Sequence, residues 1–330
     1  MNPFESVRLG QTNVSVTRLG LGTAPLGGWP EAMSLDTARE TIETAWSVGI
    51  RYFDTAPFYG HGLSEKYLGS VLPDQERSDF AISTKVGRLL VPGFEKSPLF
   101  KGTPPVVPIL DYSGTGVLRS LSESLNRLAL DRVDVALIHD PDDHHDQAVN
   151  ESYPVLADLR DEGRIGAVGV GMNWSEPLAR FANEADFDCF LLAGRYTLLE
   201  QGALDDLFPA VAAQGASVIA GGVLNSGLLV DPHPGAFYNY SPAPDNLVAK
   251  AQRLQQVCQK YEVPLRAAAL QFPLAHSRVA CVVVGARSPD EVKDTVAMMQ
   301  KPIPVELWTE LKSEELLRSD APVPMEPREI

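Results

Sequence analysis

The 330-residue chain is poor in cysteine, in positive charge and in long apolar runs. Its three cysteines, Cys189, Cys258 and Cys281, are too few and too scattered for a disulfide framework or a structural zinc site. Cys189 and Cys281 stand in apolar runs, which is typical of buried, reduced thiols. The sequence therefore excludes a disulfide-stabilised fold.

Acidic residues outnumber basic ones by 43 to 28, which gives a formal net charge of −15. This excess disfavours nucleic acid and anionic membrane surfaces as partners. No apolar run approaches the roughly 18 residues of a membrane-spanning helix, and the first residues lack the basic start and apolar core of a secretory signal. We therefore expect a cytoplasmic protein whose partner is a small molecule. No heptad pattern or interface helix indicates an oligomeric state.

Short β-rich runs alternate with amphipathic stretches along most of the chain, which indicates repeated βα units and a parallel sheet. Eight such alternations in about 300 residues favour a closed (β/α)8 TIM barrel over an open doubly wound sheet, and we expect one domain over residues 1–330. The predicted strands are Leu19–Leu21, Tyr52–Asp54, Phe80–Thr84, Val133–Ile138, Ala167–Val170, Cys189–Leu192, Ser217–Ala220 and Ala280–Val284. The predicted helices between them are Leu35–Val48, Ser64–Leu72, Gly116–Leu128, Ser152–Glu162, Glu176–Glu184, Ala203–Gln214 and Asn246–Tyr261.

Two segments lie outside this repeat. Ser6–Leu9 and Val14–Val16 predict a β-hairpin ahead of the first barrel strand, placed to cap the barrel floor. Residues 86–112 contain eight prolines and glycines, too many for a helix, and form a connection longer than an idle loop usually is. Because long loops at the carboxyl face of a barrel shape substrate sites, we expect a substrate loop here, with Phe94, Phe100 and Tyr112 as its apolar contacts.

Three predicted strands end in side chains that handle protons. Asp54 is the last residue of the second strand and Tyr59 comes shortly after it, Lys85 follows the third strand, and His139 follows the fourth. The carboxyl ends of parallel barrel strands open at one mouth, so these four side chains are expected to meet. Each one alone also has a structural explanation, such as a turn cap for Asp54 or a core imidazole for His139. Together they predict one site, because unpaired charges at the ends of apolar strands would be costly.

This set of groups can move a proton at a hydroxyl or carbonyl oxygen. A nearby ammonium favours the phenolate form of a tyrosine, so Lys85 is expected to tune Tyr59. Asp54 is expected to keep Lys85 in place and charged, while His139 orients the reacting oxygen through a hydrogen bond. Such a proton transfer needs no protein nucleophile. Oxidation of the substrate also requires a hydride acceptor beside the carbon that carries this oxygen, which is a role for a cofactor.

The chain resembles the aldo-keto reductases over nearly its whole length. The resemblance implies a catalytic tetrad of Asp54, Tyr59, Lys85 and His139, and it rests on the motifs Asp54-Thr55-Ala56-Pro57-Phe58-Tyr59-Gly60, Ser83-Thr84-Lys85 and Ile138-His139. Within the family the chain is most similar to the aldose and pyridoxal dehydrogenases, through residues 139–144, 169–173, 192–199 and 225–229. Members of that branch oxidise cyclic hemiacetals, such as L-fucose, related aldoses or pyridoxal, to lactones.

The resemblance also implies a nicotinamide dinucleotide across the barrel mouth, and no Rossmann G-x-G-x-x-G follows the first strand. The family's glutamine and stacking aromatic around the nicotinamide appear here as Ala193 and Gly221, for which Arg195 or Tyr196 is a candidate replacement. Glu291 stands where NADP-preferring relatives often have arginine, and its carboxylate would repel a 2′-phosphate, which favours NAD over NADP. The remaining candidate cofactor residues are Asn173, Ser226, Gly227, Leu228, Gly285, Arg287 and Ser288.

The substrate stays open between an aldose hemiacetal and the pyridoxal hemiacetal, because both need the same proton relay. Trp29, Phe58 and Arg88, with Phe94 and Phe100, are the candidate substrate contacts and would suit a flat pyridine ring or a sugar. General reduction of aldehydes or ketones is a further alternative.

Two other classes of function compete with this interpretation. An acidic loop with two histidines offers ligands for a metal-dependent hydrolase: Asp140, Asp142, Asp143, His144 and His145. Barrel metal sites usually gather ligands from several strand ends, so we expect no catalytic metal and a supporting role for Asp140 beside His139. A non-catalytic, cofactor-sensing barrel is the second alternative, and the presence of all four tetrad residue types disfavours it.

Overall fold

Eight parallel strands close into a barrel in the computed structural model of the chain, which describes residues 1–239 and 241–324. The strands of these residues are β1 (Ser6–Arg8), β2 (Ser15–Thr17), β3 (Leu19–Gly22), β4 (Tyr52–Asp54), β5 (Ala81–Val86), β6 (Arg88–Pro92), β7 (Val106–Leu110), β8 (Val135–His139), β9 (Ala167–Met172), β10 (Cys189–Ala193), β11 (Ser217–Gly221), β12 (Phe237–Tyr238), β13 (Ser241–Pro242) and β14 (Val279–Gly285). The barrel runs in the order β3, β4, β5, β8, β9, β10, β11 and β14, and β14 pairs with β3 to close it.

Helices follow the barrel strands and pack around them. They are α1 (Leu35–Val48), α2 (Leu63–Leu68), α3 (Gly114–Leu128), α4 (His145–Gln147), α5 (Tyr153–Asp161), α6 (Ser175–Glu184), α7 (Leu207–Gln214), α8 (Asp245–Lys260), α9 (Leu265–Gln271), α10 (Pro289–Gln300) and α11 (Val305–Ser313). In the described part of the chain, none of them is long and apolar enough to cross a membrane. The prediction of a (β/α)8 barrel is confirmed, with all eight predicted strands present.

The barrel is built on the two-residue alternation of its strands. Outward-facing residues of the strands, such as Phe53 and Ile138, join the large apolar layer beneath the helices. Inward-facing residues, such as Tyr52 and Leu137, form a second and smaller apolar cluster inside the barrel. Because the alternation also sets which side chain ends each strand on the inside, the same pattern positions the site at the mouth.

The predicted hairpin at the start of the chain is present as β1 and β2, which pair antiparallel. Leu9, Val14 and Val16 are buried and belong to the apolar cluster inside the barrel. Gly10 N–H donates to Ser217 Oγ at the beginning of β11, at 2.8 Å. The hairpin therefore closes the end of the barrel at which the strands begin, as predicted.

Residues 86–112 differ from the expected irregular loop. Val86 still belongs to β5, and β6 pairs antiparallel with β7 over five residue pairs. The sequence signal was obscured by Pro92 and Pro108, which suit only the edges and ends of strands. Residues 86–112 are called the substrate hairpin below, after the role that the sequence leads us to expect for them. The hairpin stands beside the barrel mouth because it continues directly from the end of β5.

The three cysteines are buried and free, as predicted. Burial raises the pKa of each thiol above its ordinary value, and for Cys258 it raises the pKa to about 12. Protonated, inaccessible thiols behave as small apolar side chains.

Candidate active site

Asp54, Lys85 and His139 reach one place because each is the inward residue nearest the carboxyl end of its strand. In the register of the sheet, Asp54 lies opposite Ser83, Lys85 opposite Leu137, and His139 opposite Gly171. The Lys85 stem passes close to Gly171 of the next strand but one, where a built Cβ would lie at an ordinary contact distance of 3.6 Å from Lys85 Cε. The structure therefore brings together the three strand-borne members of the predicted set.

A buried ion pair forms the base of the site. Lys85 Nζ donates to Asp54 Oδ2 at 2.8 Å and to the carbonyl of Thr55 at 2.9 Å, and the side chains of Lys85 and Asp54 are 1% and 4% exposed. Ser83 Oγ donates to the other carboxylate oxygen at 2.7 Å. Both oxygens of Asp54 are therefore occupied, which is the condition under which a buried carboxylate is tolerated.

Tyr59 is set against this pair by a close approach of two backbone segments. Lys85 Nζ lies 4.7 Å from the centre of the Tyr59 ring. Gly60 and Gly27 touch through their backbones, and a Cβ added at Gly60 would lie 2.3 Å from the carbonyl oxygen of Gly27. Gly60 also has a φ of 62°, in the left-handed region that glycine adopts readily. The close approach therefore requires glycine at position 60, and it fixes the backbone next to Tyr59.

His139 stands next to Tyr59 as a neutral imidazole. The centres of the two rings are 6.0 Å apart and the rings are nearly perpendicular. Burial holds the pKa of His139 well below its usual 6.5, and the positive charges of Arg88 and Lys85 lower it further. A neutral imidazole carries one N–H that can be donated to an oxygen.

The low pKa of His139 predicts a loss of stability in acid. As the pH falls, the imidazole of the unfolded chain takes up its proton before the imidazole of the folded chain does. The free energy of unfolding should therefore fall below about pH 6.5, by up to about 1.4 kcal/mol per pH unit. Above about pH 6.5 the protonation of His139 should have no effect on stability. Denaturant titrations of the wild type and of His139→Gln at about pH 5 and about pH 8 measure this difference. The wild type should lose more stability than the variant on acidification. Equal losses would contradict a neutral imidazole.

A cavity of about 340 Å³ opens from this group into the barrel mouth. Asp54 and Tyr59 lie at one end of it, with Trp29 and Phe100 as its aromatic walls. Ala193 and Gly221, the two positions that depart from the family pattern, form a floor without polar side-chain groups. The cavity is thus apolar around a few convergent polar groups, as small-molecule sites usually are.

A second cavity of about 580 Å³ continues from the first toward α10. Leu224, Ser226, Gly227 and Gly285 line both, so the two run together from Tyr59 to Glu291. A continuous groove with a small-residue floor at one end and exposed backbone at its middle fits an extended dinucleotide. The residues that line it therefore match the cofactor that the resemblance implies.

The candidate cofactor residues at the far end of the groove form hydrogen bonds with each other at the start of α10. Ser288 caps the helix by accepting from Glu291 N–H at 3.3 Å, and Glu291 Oε2 accepts from Arg287 N–H at 2.8 Å. The Arg287 guanidinium donates to the carbonyl of Glu31 at 3.1 Å. Asp294, one turn after Glu291, lines the same cavity and is paired with Arg266 at 2.8 Å.

Other sequence candidates lie away from the groove. Asn173 is exposed and does not line either cavity, and Leu228 is fully buried. Tyr196 is also fully buried and packs against Phe208, so the expectation that it compensates at the nicotinamide is wrong. Arg195 does not line the groove either, because its guanidinium is held over the ring of exposed Trp174 at 4.2 Å and close to Glu200 and Asn239.

The candidate substrate contacts are partly confirmed in position. Trp29 lines the cavity, and Phe58 packs edge-on against Phe100 at 5.4 Å and against His139 at 6.1 Å. The Arg88 guanidinium lies over the Phe58 ring at 4.6 Å. Phe94, by contrast, is 92% exposed, so its expected contact with the site is wrong.

Tyr112 is also placed differently from the expectation. It is fully buried, and its hydroxyl donates to the carbonyls of His139 and Asp140 at 2.6 and 2.8 Å. Tyr112 therefore supports the backbone after β8 instead of contacting a substrate.

The acidic and histidine side chains of the loop after His139 do not gather around one point. Asp140 is paired with Arg88, and His145 Nε2 lies 2.7 Å from Glu184 Oε2. Asp142 and Asp143 are exposed. Among the residues that the structure describes, no three histidine, cysteine, aspartate or glutamate side chains are grouped so that they could hold a metal.

Ser83 and Tyr52 belong to the site although sequence reasoning did not single them out. Tyr52 OH donates to Ser83 Oγ at 3.0 Å, and Ser83 in turn donates to Asp54. Both residues face the barrel interior, two residues before Asp54 and Lys85 on their strands. The alternation Tyr52-x-Asp54 and Ser83-x-Lys85 was the signal that could have found them.

A phenol, a buried ammonium–carboxylate pair and a neutral imidazole lie together at the barrel mouth beside a long groove, and such groups are able to move a proton at an oxygen while a bound cofactor takes a hydride. The chain belongs to the aldo/keto reductase family, whose model matches residues 18–315. It is accordingly an enzyme that uses a nicotinamide cofactor.

Two characterised relatives are similar over nearly the whole chain. D-threo-aldose 1-dehydrogenase from a Pseudomonas species is 40% identical over 314 residues, which cover 92% of this chain and 95% of that protein. Pyridoxal 4-dehydrogenase from Microbacterium luteolum is also 40% identical, over 337 residues that cover 95% and 98% of the two chains. Among solved structures, the holo form of an aldo-keto reductase from Bacillus halodurans matches with a TM-score of 0.75 at 26% identity and covers 99% of this chain and 100% of its own.

Proposed function

We propose that this protein is an NAD-dependent dehydrogenase that oxidises the cyclic hemiacetal of an aldose, such as L-fucose, to a lactone. The observation that carries the proposal is the buried Lys85–Asp54 pair, whose ammonium lies 4.7 Å from the centre of the Tyr59 ring. A desolvated ammonium in this place favours the phenolate, which is the form that accepts a proton in an oxidation. The two relatives named for an aldose and for pyridoxal support the class of substrate.

In the proposed reaction Tyr59 accepts the proton of the hemiacetal hydroxyl. Lys85 favours the phenolate that does so, and Asp54 keeps Lys85 charged. His139 donates a hydrogen bond to the same oxygen and holds it for proton transfer. A bound nicotinamide supplies the acceptor for the hydride that leaves the hemiacetal carbon. The products are a lactone, the reduced cofactor and one proton, so hydrogen and charge balance.

The residues proposed to hold the cofactor are supported to different degrees. Ser226, Gly227, Gly285 and Glu291 line the groove, which supports contacts to the pyrophosphate and the adenosine. Four further positions are proposed although they do not line the groove: Asn173 on the family resemblance, Leu228 from the turn after the seventh barrel strand, and Arg287 and Ser288 from the backbone N–H groups at the start of α10.

The proposed preference for NAD rests on the acidic far end of the groove, where Glu291, Asp231 and Asp294 line the cavity. Glu291→Arg should raise the ratio of kcat/KM with NADP to that with NAD by roughly tenfold to a hundredfold, because one repulsive carboxylate becomes a charged donor to the 2′-phosphate. Asp290→Arg is the matched control: it makes the same change of charge in the same helical turn, at a residue that does not line the groove. Equal ratios in Glu291→Arg and wild type would contradict the assignment.

Pyridoxal is the second candidate substrate, and the aromatic walls of the cavity suit its ring. Trp29 and Phe100 line the space beside Tyr59, and Phe58 packs behind Phe100. A flat pyridine ring stacks on such walls, but the apolar face of a sugar does so as well. The substrate hairpin, residues 86–112, is proposed to make the contacts that separate the two.

Steady-state oxidation of L-fucose, D-arabinose, L-galactose and pyridoxal, each with NAD and with NADP, tests the proposal. The highest kcat/KM is expected for an aldose with NAD, with a lactone as the product identified by mass spectrometry. The highest value for pyridoxal would select the alternative. Reduction of simple aldehydes or ketones with no hemiacetal oxidation at any concentration would contradict both and leave a general carbonyl reductase.

A further inference from the structure

Asp140 stands between the imidazole of the active site and the substrate hairpin. Its carboxylate oxygen Oδ2 lies 3.4 Å from His139 Nε2 and 3.1 Å from Nη2 of Arg88, the first residue of β6. One carboxylate therefore contacts a member of the tetrad and the segment proposed to select the substrate.

The backbone of Asp140 is fixed in an uncommon conformation. Its φ is 43°, in the left-handed region, which aspartate tolerates better than most residues. Its N–H donates to the carbonyl of Gly171 at 3.0 Å, and its own carbonyl accepts from Tyr112 OH at 2.8 Å. These two hydrogen bonds hold Asp140 in this conformation and so fix the direction in which its side chain leaves the backbone.

Two observations place the single proton of neutral His139 on Nε2. The carboxylate of Asp140 faces Nε2 at 3.4 Å, and a negative oxygen attracts an N–H and repels a lone pair. His139 Nδ1 is buried and has no hydrogen-bond partner in the described part of the chain. A buried N–H without an acceptor costs more than a buried lone pair without a donor, so Nδ1 is left unprotonated.

The same carboxylate holds the substrate hairpin in place. Arg88 opens the hairpin and bonds to Asp140, while Tyr112, just after β7, donates to the carbonyl of His139 at 2.6 Å. Both ends of the hairpin are thus attached to the two residues His139 and Asp140. The Arg88 guanidinium also lies over Phe58, which contacts the imidazole edge-on.

We propose that Asp140 is a positioning residue that couples the substrate hairpin to the imidazole: its carboxylate keeps the proton of His139 on Nε2 and anchors Arg88 beside it. The proposal rests on the proposed function, in which that N–H is donated to the reacting oxygen. It follows that removing the charge of Asp140 affects turnover through His139 and the apparent affinity for substrate through the hairpin.

Asp140→Asn tests this with almost no change in side-chain volume. The amide can present either its oxygen or its NH2 group to Nε2, so kcat should fall roughly tenfold to a hundredfold and KM should rise, while the Kd for NAD measured by protein fluorescence stays unchanged. Asp143→Asn is the matched control, since Asp143 is an exposed acid of the same loop, and it should behave as the wild type. Wild-type kcat and KM in Asp140→Asn would overturn the proposal.

Nuclear magnetic resonance of isotope-labelled histidine ring nitrogens gives a readout that needs no substrate. With His139→Gln used to assign the signal, the wild type and Asp143→Asn should show His139 protonated at Nε2. Asp140→Asn should show a mixture with, or a change to, the Nδ1–H form. An unchanged Nε2–H form in Asp140→Asn would overturn the proposal even if the hemiacetal activity itself proved to be absent, so the two failures are distinguishable.

Discussion

Tyr59→Phe is expected to lower kcat for hemiacetal oxidation by roughly 10²–10⁴-fold, the range that follows removal of a general acid or base. The substitution removes one oxygen and leaves the ring against Lys85 and His139, so the fold and the groove should be preserved. Stopped-flow or steady-state kinetics give the loss in turnover, and fluorescence titration with NAD should give a Kd close to that of the wild type.

The matched control is Tyr153→Phe, which removes a hydroxyl that bonds to the carbonyl and N–H of Asp186, just before the start of β10 and so at the opposite end of the barrel from its mouth. It should retain wild-type turnover. If Tyr59→Phe also retained wild-type turnover, the phenol would have no part in proton transfer. Lys85 could then not act by favouring the phenolate of Tyr59.

Lys85→Met is expected to abolish nearly all turnover and to destabilise the fold. Its ammonium is 1% exposed and is the charged partner of Asp54, so the variant leaves a carboxylate buried in the barrel without its counterion. Breaking a buried pair from one side typically costs about 3–5 kcal/mol of unfolding free energy. The loss of turnover should be at least as large as in Tyr59→Phe, roughly 10²–10⁴-fold, because the phenolate loses the charge that favours it.

The double variant Lys85→Met/Asp54→Asn separates these two effects. A neutral amide can still accept from Ser83, so denaturant titration should show that part of the lost stability returns. Turnover should not return, because the ammonium is still missing. Recovery of turnover together with stability would mean that Lys85 serves the fold and not the chemistry.

The sequence was sufficient for the barrel because its signal is repeated eight times. Strands buried on both faces are continuous apolar runs, such as Val279–Gly285, and amphipathic helices separate them. Closure of the sheet then brings Asp54, Lys85 and His139 together from distant parts of the chain. To predict that these three residues meet, it was enough to locate where their strands end. The predicted ends of the three strands were correct to within two residues.

The substrate hairpin was missed because its local signals conflict. Pro92 and Pro108 are unfavourable inside a sheet. Within residues 1–239 and 241–324, however, β6 and β7 pair with each other and with no further strand, so each has an outer edge that accommodates proline. The loop contacts also depended on side-chain directions that periodicity does not give: Phe94 points to solvent and Phe100 into the cavity, although they are only six positions apart in one loop.

Cofactor contacts were the hardest part to predict. Tyr196 and Arg195 are next to a replaced position, Ala193, and were reasonable candidates by sequence distance. The chain turns sharply at Gly194, whose φ is 74°, and buries Tyr196 among other aromatic rings while Arg195 is drawn to Trp174. Neighbours in sequence that follow such a turn need not share a surface.

Hydride transfer is tested most directly by following deuterium from the hemiacetal carbon of L-fucose, and in parallel of pyridoxal, during a single turnover with NAD. The label should appear in the reduced nicotinamide and be absent from the lactone, and Tyr59→Phe should suppress the transfer. A reduced cofactor without deuterium, or oxidation that continues unchanged in Tyr59→Phe, would contradict the central claim.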